Sequence, residues 1–516
     1  MTTLLDSPPR PAGPGRGPIT VRVEETALAP HEPLDLYAAL RERSAHDVFL
    51  LESREGPGQS PGATVVGHGL LAEIRVYADR IRADGADAVV AAFLTAADGL
   101  GLAPRPGNER GLLHGDQVWQ VLRAAQDLFT VETHRPRDSY AFGFLATFGY
   151  GSAWHMETLP DRGDRDDAEP DIVLGLFRET VWYGPEPGVV RRLTAHSDAF
   201  PDPAPFDPAP FAPAEEAAGA AVAVGTLPEV LPEAPRPHSV RDSCDEETFL
   251  ARVDRCLEHI GVGDIYQIQI GHRIDVESDL EPFEVYRRLR GRNPSPYMYL
   301  VPRDGRTVIG ASPEVLFRTG GGRVVMRPIA GTAPRSGDPG VDEARVARLV
   351  ADEKERAEHV MLVDLCRNDI GRVCLPGTLE ARGLMTVETY SHVFHLVSTV
   401  EGTLAPEDDT WSVLRATFPA GTVTGAPKIR AMEIIEELES EPRGMYAGAV
   451  GLVDLRGWSQ LALCIRTVVH DGRSGTYSTQ SCAGIVADSS PGAEWRETLH
   501  KMGAAYWALT GEELLP

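Results

Sequence analysis

The stretch DEKERAEHVMLVDLCRND, residues 352–369, begins with the composition of a solvated charged helix and ends with that of a buried one. At helical spacing, Glu355 and Glu358 lie on the same face as Leu362 and Leu365. Acidic residues are common in a first helical turn, where they interact favourably with the helix dipole. Two carboxylates at the head of an apolar face are also typical of a metal or catalytic site. The stretch alone leaves both interpretations open.

The composition is that of a globular protein large enough for two to four domains. The chain has 516 residues, of which 42% are hydrophobic and 24% are charged. Its formal net charge of −26 argues against a nucleic-acid surface and against binding to anionic membranes. The six cysteines form no C-x-x-C pair, and no apolar run approaches the length of a membrane span. We therefore predict a soluble cytoplasmic protein with reduced thiols.

Segments rich in proline divide the chain. Residues 1–18 are rich in Pro and Gly and are predicted to be disordered. Residues 201–239 have the Pro/Ala-rich composition of a linker between an N-terminal region (19–200) and a C-terminal domain (240–512). Strand and helix patterns alternate in the C-terminal domain and occur in both parts, which predicts an α/β fold.

A second pair of acids has the same spacing as the first. Glu494 and Glu497 follow Pro491 at a predicted helix start, and Lys501 lies one turn beyond Glu497. Two such pairs on separate helices can converge on one Mg²⁺, which takes few protein carboxylates, keeps waters and bridges to an anionic substrate. Spacing along the chain does not show convergence, and an acidic first turn is more often a solvated helix face.

Two segments have the composition of small-anion sites. PIAGT (328–332) is predicted to be a loop in which Gly331 and Thr332 let backbone N–H groups and a hydroxyl approach a ligand. GTVTGAPK (421–428) places Thr422 near a helix N-terminus, which suits a carboxylate. The second segment does not match the phosphate-loop pattern G-x-x-x-x-G-K-[ST]. Taken singly, each segment is more typical of an ordinary N-cap or turn.

Together these blocks resemble the chorismate-utilising enzymes, and most closely the large subunit of anthranilate synthase. The resemblance is carried by RPIAGTAPR, DEKERAEHVMLVDLCRND, YSHVFHLVS, GTVTGAPKIRAME, RGMYAGAVG and the ending that starts AGIVADS, which occur in this order. It covers nearly all of 240–512 and extends more loosely to LLES and FGFLATFGY in the N-terminal half. It implies the family's α/β (α+β) fold, with large β-sheets flanked by helices and an N-terminal regulatory region packed on the catalytic domain.

The resemblance also implies roles for individual residues. It makes Glu358 and Glu497 the Mg²⁺ ligands, supported by Glu355 and Glu494, with the metal holding the ring carboxylate of chorismate. It implies catalytic positions at Glu314, the general acid for the leaving C4 hydroxyl, at His395, which transfers a proton, and at Thr332 and Gln267. Without the resemblance, His395 is better explained as a packed core histidine. The implied substrate-binding residues are Gly331, Thr332, Thr422, Tyr446, Arg466, Cys482, Ala483, Gly484 and Lys501.

Two positions indicate the nucleophile. By the same resemblance, isochorismate and salicylate synthases carry a water-activating lysine where this chain has Gln267. Aminodeoxychorismate synthases of the para-aminobenzoate type carry a nucleophilic lysine in place of Ala330. The remaining pattern is that of anthranilate synthase, in which ammonia adds at C2 and pyruvate is then lost. We expect a separate glutamine amidotransferase subunit as the ammonia source, because no segment is left for one, and we expect an oligomer.

Regulation by tryptophan is a further expectation from the resemblance. LLES (50–53) and NPSPYM (293–298) match the segments that form the tryptophan feedback site in the resembling subunits. Ser53 would meet the polar end of the amino acid, and the pocket would be lined by Pro296, Tyr297 and Met298. Taken alone, the first segment is equally a core strand and the second a turn.

Some positions depart from the family pattern and keep other products open. QSCAG (480–484) replaces the usual QAGAG, so Cys482 stands where a glycine is usual, and GHR (271–273) replaces SQR. Gln460-Leu461 replaces a common Asp-Thr, and Arg496 replaces an acid. One alternative is therefore a 2-amino-2-deoxyisochorismate synthase that stops before pyruvate loss, although His395 and the two tryptophan-site segments argue against it. A more distant one is a non-catalytic subunit that senses an amino acid, which the intact acidic and basic site residues disfavour.

Overall fold

The computed structural model describes residues 18–44, 47–54, 63–160, 169–184, 186, 188–202, 231, 233–390 and 393–515. Nearly all of the N-terminal segment predicted to be disordered, and most of the predicted linker, lie outside the described residues. The helices are α1 Pro33–Arg41, α2 Asp87–Gly99, α3 Gln117–Asp127, α4 Glu246–Gly261, α5 Pro282–Arg292, α6 Pro339–Ala351, α7 Glu353–Gly371, α8 Thr410–Thr417, α9 Lys428–Leu438 and α10 Pro491–Thr510.

The strands of the described residues hydrogen-bond into one connected sheet network, in which β1 and β7 pair in parallel and the other pairings are antiparallel. They are β1 Ile19–Leu28, β2 Val48–Glu52, β3 Thr64–Val76, β4 Arg80–Gly85, β5 Ala103–Pro104, β6 Glu109–Gly111, β7 Phe129–Glu132, β8 Gly143–Phe148, β9 Ile172–Tyr183, β10 Val190–His196, β11 Ser239–Asp242, β12 Gln267–Glu277, β13 Tyr297–Arg303, β14 Arg306–Ser312, β15 Val315–Gly320, β16 Arg323–Met326, β17 Ile329–Pro334, β18 Glu380–Thr389, β19 Val393–Thr403, β20 Gly425–Ala426, β21 Ala449–Asp454, β22 Ser459–Leu463, β23 Thr467–Asp471 and β24 Thr476–Ile485.

The N-terminal and C-terminal halves share this network. Strand β2 pairs with β13, and β8 pairs with β21, so backbone hydrogen bonds join segments that are hundreds of residues apart in the chain. One large core cluster contains residues from both halves, including Trp119 and Trp411, which are almost completely buried. The predicted mixed α/β fold is confirmed.

The two acidic helices begin as the sequence predicts. The Asp352 carboxylate caps α7 by accepting a hydrogen bond from the Glu355 N–H at 3.1 Å. Helix α10 starts at Pro491, and Gly511 ends it in a left-handed conformation with φ of +76°. In α10, Met502 and Tyr506 are buried, and this helix packs on β24.

The loop predicted at residues 328–332 is wrong. Most of this segment belongs to strand β17, which pairs with β19. The pairing register shifts between Ala330 and Thr332, and Gly331 between them has φ of +72°. The segment is therefore a bulged strand, in which glycine supplies a conformation that other residues rarely adopt.

Candidate active site

The acidic pairs of α7 and α10 converge. Burial raises the pKa of Glu358, and the charge of Glu497 on the other helix raises it further. Burial also raises the pKa of Glu355 and of Glu494, and the charge of Glu497 adds to both increases. Lys354 opposes the shift in all three. The fold therefore gathers four carboxylates close enough to raise one another's pKa, which the sequence spacing alone did not show.

This acidic cluster suits a cation that needs few protein ligands. Within the described part of the chain, no three histidine, cysteine or carboxylate side chains stand together as a ready chelating group. The Gln267 amide donates to Glu358 Oε1 at 3.1 Å, and Lys501 Nζ lies 2.7 Å from Glu497 Oε1. Mg²⁺ accepts one or two carboxylates and fills its other positions with water and substrate oxygens. Glu358 and Glu497 fit that requirement, with Glu355 and Glu494 beside them.

Two cations lie next to the acidic cluster. Lys501 Nζ donates to the Cys482 carbonyl at 2.9 Å. Arg466 Nη1 donates to the Lys501 carbonyl at 3.1 Å, and Arg466 has a positive φ of 53°. The remaining N–H groups of a guanidinium suit a bidentate carboxylate. A Cβ on Gly484 would lie 2.8 Å from Gln269 Nε2 and 3.2 Å from Gln267 Nε2, so any side chain there would displace the side-chain amides of these two residues.

Glu314 has the properties of a general acid. It is buried between β14 and β15, and Thr422 Oγ1 donates to its Oε1 at 3.0 Å. Burial raises the pKa of Glu314 to about 8, so the carboxyl is protonated at neutral pH. Leu362 and Cys366 of α7 line the same small cavity. The segment at 421–428 thus supplies a hydroxyl that positions Glu314.

The bulge in β17 brings together three more predicted residues. His395 Nδ1 lies 3.0 Å from Thr332 Oγ1 and 3.3 Å from the Gly331 carbonyl oxygen. Burial lowers the pKa of His395 to about 4, so the imidazole is neutral. A Cβ on Gly331 would lie 3.2 Å from Glu355 Oε2, which places the bulge against the acidic cluster.

The Gln267 side chain faces the acidic cluster, and one of its polar atoms has no hydrogen-bond partner among the described residues. Its side chain is 1% exposed, and its Oε1 is buried without a hydrogen-bond partner among the described residues. Such an atom is costly unless a ligand satisfies it. Ala330 is buried and offers only a methyl group.

A buried network around Tyr446 was not predicted. Arg443 and Glu439 form an ion pair with an N–O distance of 2.7 Å, and the Arg443 guanidinium lies 4.9 Å from the ring centre of Tyr150 and 5.7 Å from that of Tyr446. The blocks RGMYAGAVG and FGFLATFGY contain Arg443, Tyr446 and Tyr150, so the signal was present. The contacts join segments about 300 residues apart, which no local pattern reveals.

The two segments predicted to bind tryptophan lie side by side. Met298 in β13 pairs with Glu52 in β2, and Arg54 N–H donates to the Ser295 carbonyl at 3.1 Å. Ser53 therefore lies close to the start of β13. The neighbouring Glu52 is buried, and Arg290 donates to its two carboxylate oxygens at 2.7 and 2.8 Å. Their adjacency is observed, and tryptophan binding stays a prediction.

The six cysteines are free and buried. Among the described helices, none is both long and apolar enough to cross a bilayer.

Comparisons with known proteins give one consistent family. The profile of the family described as "chorismate binding enzyme" matches residues 78–506. The 2-amino-4-deoxychorismate synthase of Streptomyces globisporus is 46% identical over 499 residues, which are 96% of this chain and 98% of the relative. Anthranilate synthase component 1 of Streptomyces coelicolor is 44% identical over 378 residues, 72% of this chain and 73% of the relative. The crystal structure of anthranilate synthase component I from Streptococcus pneumoniae superimposes with a TM-score of 0.66 at 28% identity, covering 87% of this chain and 95% of that chain.

Proposed function

The chain belongs to the chorismate-binding enzymes, and from this premise we propose that it aminates chorismate at C2 with ammonia. The observation that carries the proposal is the unsatisfied Gln267 Oε1 beside the acidic cluster. A carbonyl oxygen accepts an N–H group of ammonia and leaves the nitrogen lone pair free to attack. A lysine is absent both there and at Ala330, which disfavours the other nucleophiles.

The first step needs an acid at the opposite end of the reacting system. The nitrogen of ammonia forms a bond to C2, the ring double bonds shift, and the bond from C4 to its hydroxyl breaks. Glu314, protonated because its pKa is near 8, gives its proton to the departing oxygen, which leaves as water. Arg466 and Lys501 supply positive charge for the substrate carboxylates. Mg²⁺, held by Glu358 and Glu497, would supply charge for the ring carboxylate.

We propose that the enzyme releases 2-amino-4-deoxychorismate with its enolpyruvyl ether intact. This compound is also called 2-amino-2-deoxyisochorismate, since both names describe an amino group at C2, the ether at C3 and no hydroxyl at C4. Support comes from the Streptomyces globisporus relative, whose name states this product and whose match extends over nearly the whole chain. The departures at Cys482 and Gly271 also support a chemistry that differs from that of anthranilate synthase.

Anthranilate is the second candidate product, and His395 favours it. In that reaction a base removes the C2 proton, the C3–O bond breaks, and enolpyruvate leaves and becomes pyruvate. His395 is neutral, and its Nδ1 is hydrogen-bonded to Thr332. In the tautomer that donates this hydrogen bond from Nδ1, the lone pair of Nε2 is available to accept a proton. The similarity to anthranilate synthase component 1 supports this candidate as well.

Two partners complete the proposal. A glutamine amidotransferase subunit would supply ammonia in the cell, and tryptophan would bind at Ser53 and the start of β13 as a feedback inhibitor. The adjacency of these two segments supports the second point. We propose an oligomer in the cytoplasm as the working form.

A product assay tests the proposal. The purified chain is incubated with chorismate, Mg²⁺ and ammonium at mildly alkaline pH, and the products are separated by liquid chromatography with mass detection. We expect an amino-cyclohexadiene that retains the enolpyruvyl ether, and no pyruvate. Anthranilate with equimolar pyruvate would move the assignment to the second candidate. No amination in the presence of all three components would refute both.

A further inference from the structure

A buried chain of hydrogen bonds joins strand β11 to helix α10. His272 in β12 lies 2.7 Å through Nδ1 from Asp242 Oδ1 in β11, and 2.8 Å through Nε2 from Thr498 Oγ1 in α10. The His272 ring is also stacked on Trp495 of the same helix, with 4.5 Å between the ring centres. His272 and Thr498 are almost completely buried. A chain with so little exposure is suited to fixing the position of α10 rather than to contacting a ligand.

Strand β24 holds the backbone of α10 at the same residue. Ser481 Oγ donates to the Thr498 carbonyl oxygen at 2.7 Å, and Ser481 lies opposite His272 in the pairing of β24 with β12. Both residues of this pair depart from the usual pattern, in which glutamine would lie opposite alanine. Alanine has no hydroxyl and glutamine has no ring, so the usual pair does not make these contacts. The hold on α10 is therefore a property of this chain.

The turn of α10 that this pair contacts carries the acidic residues. Trp495 directly follows Glu494 in the chain, and Thr498 directly follows Glu497. An α-helix turns by about 100° per residue, so the two contacted residues and the two acids lie on adjoining faces of one turn. Any movement of that turn against the sheet therefore moves both carboxylates.

The acids of α10 and α7 meet beside the same part of β24. Glu497 is paired with a lysine one turn further on, whose ammonium group donates to the Cys482 carbonyl oxygen at 2.9 Å. Gln267 Nε2, which donates to Glu358 Oε1, would lie 3.2 Å from a Cβ on Gly484. Mg²⁺ demands near-ideal octahedral geometry. A metal ion shared by Glu358 and Glu497 is therefore sensitive to the position of α10 on β24.

We propose that His272 is a positioning residue for the metal, which fixes through Thr498 the helical turn that carries Glu497. This inference rests on the proposed function, in which Mg²⁺ is held by Glu358 and Glu497. Groups that hold a metal ligand in place typically contribute about 10- to 100-fold to metal affinity. His272 acts on the ligand through the helix, so the lower end of that range is expected.

The test removes the hydrogen bond from each side in turn. His272→Phe keeps an aromatic ring beside Trp495 but forms no hydrogen bond, and Thr498→Val keeps the shape of threonine but removes its hydroxyl. His238→Phe is the matched control, because His238 pairs with Asp279 at 2.9 Å on the protein surface. Mg²⁺ affinity is measured by titration calorimetry on the full chain, and the melting temperature shows whether each variant is folded.

We expect His272→Phe and Thr498→Val each to weaken Mg²⁺ binding about tenfold, and His238→Phe to bind Mg²⁺ as wild type does. The double variant should bind no more weakly than either single one, because both substitutions remove the same hydrogen bond. A purely structural role would lower the melting temperature and leave the Mg²⁺ affinity of the folded variants unchanged. That result, or effects that multiply in the double variant, would overturn the inference while the proposed function stands. If His272→Phe does not fold, Thr498→Val decides by the same criterion. If the wild-type chain binds no Mg²⁺, the metal assignment and the inference fail together.

Discussion

Replacing Glu314 with glutamine should make the enzyme inactive and, at alkaline pH, more stable. Glutamine keeps the carbonyl oxygen that accepts the Thr422 hydrogen bond, but it has no proton for the leaving hydroxyl. Loss of a general acid typically lowers the rate by about 10² to 10⁴. We therefore expect kcat for chorismate amination to fall by at least about a hundredfold, while Mg²⁺ binding persists.

The stability effect follows from the raised pKa. Burial moves the pKa of Glu314 from 4.5 to about 8. Because the folded-state pKa is above the unfolded value, the folded chain binds the proton more tightly, and the associated stability is lost as pH rises from about 4.5 towards 8. At about 1.4 kcal/mol per pKa unit, the loss reaches at most about 5 kcal/mol at pH 8. The variant does not titrate, so its melting temperature should exceed that of wild type by a margin that widens between pH 5 and pH 8.

A buried carboxylate with several hydrogen-bond donors provides the control. Asp454 is fully buried and accepts hydrogen bonds from Ala141 N–H at 2.6 Å and from Arg456. Asp454→Asn should lower the melting temperature at every pH from 6 to 8, because its amide nitrogen cannot accept the hydrogen bonds that one carboxylate oxygen accepts. Scanning calorimetry measures the melting temperatures, and steady-state kinetics the kcat values, of wild type, Glu314→Gln and Asp454→Asn. The reasoning is refuted if Glu314→Gln retains kcat within threefold, or if it melts below wild type at pH 8 as Asp454→Asn does.

Three further predictions concern the metal, the nucleophile and the inhibitor. Glu358→Gln should weaken Mg²⁺ binding at least tenfold in titration calorimetry, whereas Glu353→Gln, which changes an exposed residue of the same helix, should not. Equal Mg²⁺ affinities of the two variants would exclude Glu358 as a ligand. Gln267→Leu should raise the KM for ammonium at least tenfold and leave the KM for chorismate within threefold, because it removes the buried hydrogen-bond acceptor Oε1. A change in the KM for chorismate alone would contradict the role given to this atom. Ser53→Ala should weaken inhibition by tryptophan about fivefold or more in the product assay without changing kcat, and a wild-type enzyme insensitive to tryptophan would rule out that site.

The sequence by itself determined the elements and the family. The helix over α7 follows from the helical spacing of its acidic and leucine residues, and the start of α10 follows from Pro491. Both are local properties, governed by neighbours three or four residues away. The ordered blocks after residue 240 were specific enough to indicate the chorismate-utilising enzymes before any contact was known. The one local error, the loop at 328–332, arose because a glycine bulge inside a strand has the composition of a turn.

Only the tertiary structure decided how these elements meet. Three features of the site depend on contacts between residues more than a hundred positions apart in the chain. They are the convergence of Glu358 and Glu497, the burial of Glu314, and the pairing of Gly271 with Cys482. Burial and register are properties of the packed sheet, and they set which carboxyl keeps its proton and which side chain fills a given space. The sequence thus identifies the reactive residue types of this chain, and the distances between them are set only by the folded sheet.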